Sequence, residues 1–125
     1  MTKTAIAVFS DPSSGSDEAL GRLFNALFLT IELKDRGVDV DLIFQGAGAR
    51  WAAEIVKPDH PAHAAFKAVE DKVRGVCGGC ADVFGATEEA EASGLKLVRD
   101  KDIPGTTGVL DLSAYVAAGD TLITF

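Results

Sequence analysis

From its amino end the chain alternates five times between short apolar runs with strand character and segments with helical spacing, joined by short links. That order constrains the fold more than any other feature. Parallel neighbours in a sheet need a crossover between them, and a helix is the usual one. The expectation is an α/β fold: one domain over residues 1–125, with about five strands in a mostly parallel sheet flanked by helices.

The elements follow from local pattern. "KTAIAVFS" (3–10) is a β-forming apolar run that stops at the turn residues "DPSSGS". Ser16 then offers an N-cap, Asp17 and Glu18 suit the first helical turn, and Leu20, Leu23, Phe24, Leu27 and Ile31 form one stripe before the stop at Gly37. In "VDVDLIF" (38–44), Val38, Val40, Leu42 and Phe44 face one way and Asp39 and Asp41 the other. "QGAGAR" is a Gly-rich turn, "WAAEIV" a short helical turn, and "KPDHP" (57–61) breaks the chain twice with proline. A second helix is expected over 62–72, burying Ala65, Phe66 and Val69. "VRGVC" (73–77) reads as a strand, "ADVFGATEEAEASG" as helical pieces ending at Gly94, and "LKLV" (95–98) as a strand. "RDKDIPGTTG" is loop, "VLDLSAYVAAG" a last helix and "DTLITF" a terminal strand.

The net charge of -7 excludes whole classes of partner. Nucleic-acid binding runs on clustered Lys and Arg, so neither nucleic acid nor an acidic membrane surface is expected to bind. No stretch approaches the roughly 18 apolar residues that span a bilayer. The start reads as a strand rather than a leader, and a cytoplasmic location is expected. There the two cysteines rest as thiols rather than as a structural disulfide.

Sites in open α/β sheets gather beyond the carboxyl ends of the strands. Three loops leave strand ends here: "SDPSSGS", "QGAGAR" and "CGGCA". The third holds both cysteines, Cys77 and Cys80, at the start of an expected helix. A thiol there feels the positive end of the helix dipole, so its pKa should fall. Gly78 and Gly79 would leave N–H groups open to an anion and the sulfur uncrowded.

Four readings of the pair stand side by side. A thioredoxin-like C-x-x-C fits the spacing, although that motif normally follows an early strand. His60 and His63 with the two cysteines make a two-plus-two zinc inventory, with Pro61 stiffening the loop. One thiolate can accept sulfane sulfur as a persulfide, which needs a low-pKa thiol and nearby donors. Finally, both can be small buried residues, the common fate of free cysteine.

Other residues admit two uses each. Ser10, Asp11, Ser13 and Ser14 suit polar contacts to a sulfur-bearing anion or a capping turn. Gly46 and Gly48 suit close approach to a ligand or simple turn formation. "GAG" is not a dinucleotide fingerprint. Trp51 suits a subunit interface, a pocket wall or packing within the chain. Arg50 suits an anion contact or a solvated surface, the direction of Arg74 on its strand is open, and Tyr115 reads as half-buried on the last helix. The acidic runs "EDK" and "TEEAE" read as solvated helix faces.

The opening strand and Ser-rich loop, the long amphipathic helix, "VDVDLIFQGAGARW", the cysteine ending a central strand and the final "AAGDTLITF" together resemble the DsrE/DsrF-like family, which includes the TusD-type sulfur carriers. The resemblance spans essentially all 125 residues. "VCGGCADVFGA" most resembles the DsrE-like domain of selenium-metabolism-associated sulfurtransferase-like proteins. The resemblance implies a parallel-sheet α/β fold, assembly as a homo-oligomer (trimer or hexamer), sulfur donor and acceptor proteins as partners, and no cofactor. It also implies sulfur carried on the strand-end cysteine, which is Cys77 here, with Cys80 as a second, resolving thiol or a spectator. The rival within the family is a non-catalytic oligomeric binding or scaffold module.

Overall fold

The structure, a computed structural model, describes residues 2–125. Five strands, β1 (Thr4–Val8), β2 (Val40–Phe44), β3 (Val73–Cys77), β4 (Leu97–Val98) and β5 (Thr121–Thr124), form one sheet in the order β4-β3-β2-β1-β5. Every neighbouring pair is parallel. The helices are α1 (Asp17–Asp35), α2 (Trp51–Ile55), α3 (His63–Val69), α4 (Gly78–Val83), α5 (Thr87–Ser93) and α6 (Ser113–Ala117).

Alternation along the strands divides the interior into two unequal cores. Ile6, Val8, Leu42 and Phe44 face α1, α2 and α3, where Leu23, Leu27, Ile55 and Phe66 meet them. Leu23 and Leu27 are fully buried, and burial of one such side chain contributes about 2 kcal/mol. Ala5, Ala7 and Ile43 face the other way, toward Leu110 and Tyr115. The chain steps outward from β1 to β4, then crosses back to place β5 on the far side of β1. With crossovers of one hand, that reversal sends the last connection to the opposite face. The second face is therefore covered by α6 and the segment before it.

A bulge in β3 decides where the cysteine points. Leu42 pairs with Val73 but Ile43 pairs with Gly75, so Arg74 is the extra residue. Val73 stays with the large core, while Gly75 and Cys77 fall in step with Ile43 on the second face. Without the bulge, Val73 and Cys77 would share a face, because the side-chain period of a strand is two. The bulge also turns Arg74 outward to Asp100, 2.8 Å away.

Most expected elements are present, with differences at the ends. Ser16 caps α1 by accepting the Ala19 N–H at 3.1 Å. The second helix stops at Val69 and tightens to a 3-10 turn over Glu70–Lys72; Ala65 is only half-buried there. The expected last helix is shorter than its pattern. Val109 bridges antiparallel to Lys101, and Asp111 accepts the Ser113 N–H at 3.0 Å, so the helix starts only at Ser113. Tyr115 is buried rather than half-buried; it donates to Asp41 Oδ2 at 2.7 Å. Among the described residues, no helix is long and apolar enough to cross a membrane.

Candidate functional site

The parallel sheet brings the three loops to one edge, as the sequence implies. Arg50, in the second loop, ties the first loop to the end of α4. It donates to Asp11 Oδ2 at 2.9 Å, to Ser13 Oγ at 3.0 Å and to the Phe84 carbonyl at 3.2 Å, and lies over the Phe84 ring. Trp51 Nε1 donates to the Ser10 carbonyl at 2.8 Å, so the tryptophan packs within the chain. The serines are spent on local structure: Ser10 Oγ donates to the Ala19 carbonyl, Ser13 Oγ to Asp11 Oδ1 and Ser14 Oγ to the Asp11 carbonyl. This loop borders a cleft of about 460 Å³ lined by Ser13, Ser16, Arg50, Trp51, Glu54 and His60, among others. Neither cysteine lines it.

His60 and His63 are occupied elsewhere. His60 Nδ1 accepts the Ala62 N–H at 3.0 Å, and the His63 ring bonds the Ile55 carbonyl at 2.8 Å. Among the described residues, no three or more His, Cys, Asp or Glu are grouped to hold a metal ion.

Both cysteines are free thiols in hydrogen-bonding reach of each other. Cys77 ends β3 and caps α4, its sulfur accepting the Cys80 N–H at 3.4 Å. The Cys80 thiol, then chiefly the backbone N–H groups of Leu110 and Cys80, outweigh burial and bring the Cys77 thiol down from 9.0 to about 6. Cys80 moves the opposite way. Its hydrogen bond to the Cys77 sulfur, then burial, hold its proton on, against the Gly46 N–H. The two thiols thus titrate as an interacting pair, with the first proton lost from Cys77. The Cys80 thiol and these N–H groups, rather than the dipole of a short helix, favour the thiolate.

The two glycines serve close packing rather than openness. A Cβ on Gly78 would sit 2.4 Å from Arg99 Cγ. A Cβ on Gly79 would sit 2.8 Å from Val109 Cγ1, and the Gly79 N–H is donated to the Gly108 carbonyl at 2.8 Å. The segment 99–112 thus lies as a flap against the motif and leaves Cys77 only 1% exposed, with Cys80 half-buried. Arg99 latches the flap by donating to Asp82 Oδ1 at 3.1 Å and to Thr107 Oγ1 at 2.9 Å. Thr107 and Thr87 also donate to Asp82, and these bonds, with Arg99, hold its carboxyl below the ordinary range. Arg99→Ala is therefore expected to raise Cys77 alkylation in a Cys80→Ser background by roughly fivefold, the effect of about 1 kcal/mol on local opening. An unchanged rate would show that the latch does not govern access.

The second loop has its own geometric demand. A Cβ on Gly48 would sit 2.1 Å from the Val8 carbonyl oxygen, so this glycine lets the turn lie on the β1 backbone. Beside it, Gln45 directly follows β2 and accepts the Cys80 thiol at 3.4 Å through Oε1. The sequence alone does not single out Gln45, Asp82 or Arg99. A signal for Gln45 is present in it: continued alternation after Asp39, Asp41 and Ile43 places it on the second face. Nothing local marks Arg99 or Asp82, which meet across 17 residues.

A five-stranded parallel α/β sheet with a strand-end cysteine pair defines the class of protein. Residues 3–125 match the DsrE/DsrF-like family, and the chain belongs to it. It is 31% identical to the uncharacterized protein MJ0733 of Methanocaldococcus jannaschii over 101 residues, covering 81% of this chain and 78% of that one. Its fold is similar to that of a conserved protein of unknown function from Bacteroides thetaiotaomicron, BT1422, with a TM-score of 0.64 at 19% identity, covering 98% of this chain and 94% of that one.

Proposed function

We propose that this protein is an intracellular carrier of sulfane sulfur, held as a persulfide on the cysteine pair. Cys77 is the acceptor and Cys80 the second thiol. The observation that carries the reading is the placement of Cys77 at the strand end, where its sulfur accepts the Cys80 N–H at 3.4 Å beside the Cys80 thiol, an arrangement that lowers its pKa. A thiolate is the nucleophile in sulfur transfer, and this arrangement favours the thiolate of Cys77. Its attack on the outer sulfur of a donor persulfide breaks the donor S–S bond, forms the Cys77 S–S bond and releases the donor thiolate. No cofactor enters this step. Because Cys77 is buried, the 99–112 flap must open for a protein donor or acceptor to reach it.

The test is intact mass after brief exposure to polysulfide. The wild type should gain one sulfur that a dithiol reductant removes, Cys80→Ser should retain the gain, and Cys77→Ser should lose it. Loss of two hydrogens instead, abolished by either substitution, would make the pair a dithiol–disulfide couple. The burial of Cys77 favours a second reading, a non-catalytic oligomeric binding or scaffold module. Thiols that react in no variant until the protein is denatured would select it. Assembly as a homotrimer or hexamer belongs to both readings. Phe28 and Val83 are exposed apolar side chains that such an assembly can cover, and light scattering on the purified protein measures it.

A further inference from the structure

Among the described residues, one buried side-chain polar atom has no hydrogen-bond partner, and it is Nε2 of Gln45. The residue is 3% exposed. A buried amide N–H without a partner costs about 1–3 kcal/mol, so its place needs a reason. Its other amide atom gives one. Oε1 accepts the thiol of Cys80 at 3.4 Å, so the unpartnered donor belongs to a group already in contact with the reactive pair.

We propose that Gln45 is the positioning residue that lets Cys80 act as the second thiol. In the reduced pair its carbonyl lies 3.4 Å from the Cys80 sulfur and shares the thiol proton with the Cys77 sulfur. When Cys80 becomes anionic, the amide turns about its last torsion and gives Nε2–H to the sulfur. That torsion is broad and two-fold, and the amide is held by one bond, so turning it breaks nothing else. Among the described residues, Cys80 is influenced chiefly by its hydrogen bond to the Cys77 sulfur, then by burial, the Gly46 N–H and the charge of Cys77. Gln45, whose amide carries both an acceptor and a donor, is thus able to serve both protonation states of Cys80.

The inference rests on the persulfide reading and adds its second step. Anionic Cys80 attacks the inner sulfur of a Cys77 persulfide. The Cys77–Cys80 disulfide bond forms, the bond to the outer sulfur breaks, and hydrosulfide leaves with the persulfide proton. The persulfide is the oxidant, and a low-molecular-weight thiol later reduces the disulfide.

The experiment separates this role from carriage itself. Alkylation by iodoacetamide is followed against pH in Cys77→Ser, where Cys80 is the sole thiol, with and without Gln45→Leu or the similarly shaped Gln45→Met. Each Gln45 substitution should slow Cys80 alkylation near pH 8 about tenfold, the loss of one hydrogen bond to an anion. In Cys80→Ser, the same substitutions should change Cys77 alkylation less than about twofold. Thermal unfolding should show both variants folded, since removing an unsatisfied buried amide does not destabilise. Equal Cys80 rates with and without Gln45, or equal slowing of both cysteines, would overturn the proposal. These readouts use no persulfide, so they stand even if polysulfide fails to load Cys77.

Discussion

Gly48→Ala is expected to destabilise the fold by about 3 kcal/mol, near the upper end of overpacking costs. For a chain of this size that is a fall of roughly 10 °C in Tm. The added methyl would lie 2.1 Å from the Val8 carbonyl oxygen, 2.8 Å from its carbon and 3.3 Å from the Phe9 Cα. All three are backbone atoms of β1 or its immediate continuation, which is paired on both sides by β2 and β5 and cannot step aside. The comparison is Gly46→Ala. There the φ of +56° strains an alanine by about 1 kcal/mol, and the nearest atoms belong to the Phe9 ring, which can turn. A clear gap between the two midpoints in thermal or urea unfolding would assign Gly48 to the turn's packing on β1. An unchanged midpoint for Gly48→Ala would mean that the turn does not lie on β1 as described, and would return Gly48 to the candidate ligand contacts.

The two glycines show how far the sequence can be read. "QGAGAR" announces a turn after a strand, because composition and alternation are local signals. It does not show that the second glycine lies under the Val8 carbonyl, far back in the chain. The same holds at the motif. The strand-end cysteine and the helix start are legible in "VRGVCGGCA". The flap over them is not, because Gly78 meets Arg99 and Gly79 meets Val109 only once the segment after β4 folds back. The Gly-Gly pair therefore suggests exposed donors, whereas it admits a covering segment. The shortened last helix has the same origin. "VLDLSAYVAAG" is helical in spacing, but Val109 is taken by a bridge to Lys101 that only the tertiary fold supplies.

The pH dependence of the cysteine pair is the larger functional effect. Stability tracks the difference in bound protons between the unfolded and folded states. Below about 6 both states hold both thiol protons, and the pair adds nothing. Between about 6 and 9.0 the folded pair has released one proton while the unfolded thiols keep both, so stability rises with pH by up to about 1.4 kcal/mol per unit. Above that range the sign reverses: the unfolded chain loses both protons, and Cys80 in the fold still keeps its own. The pair should therefore give a maximum in the alkaline range. Carboxylates held low, such as Asp82 and Asp100, lose their contribution only at acid pH. His60, lowered chiefly by burial, overlaps only the lower edge, and the Cys77→Ala variant shares it as a control. Urea midpoints across this range should rise in the wild type and stay nearly flat in Cys77→Ala. Cys80→Ala removes the largest support of the Cys77 thiolate, so its absorbance near 240 nm should appear at higher pH, with alkylation at pH 7 slower by roughly tenfold or more. A Cys77 titration that remains near 6 in Cys80→Ala would mean that the backbone donors at residues 80 and 110 suffice by themselves. On the proposed persulfide-carrier reading, Cys80 would then be dispensable for accepting sulfur and its role confined to the release of sulfur from Cys77.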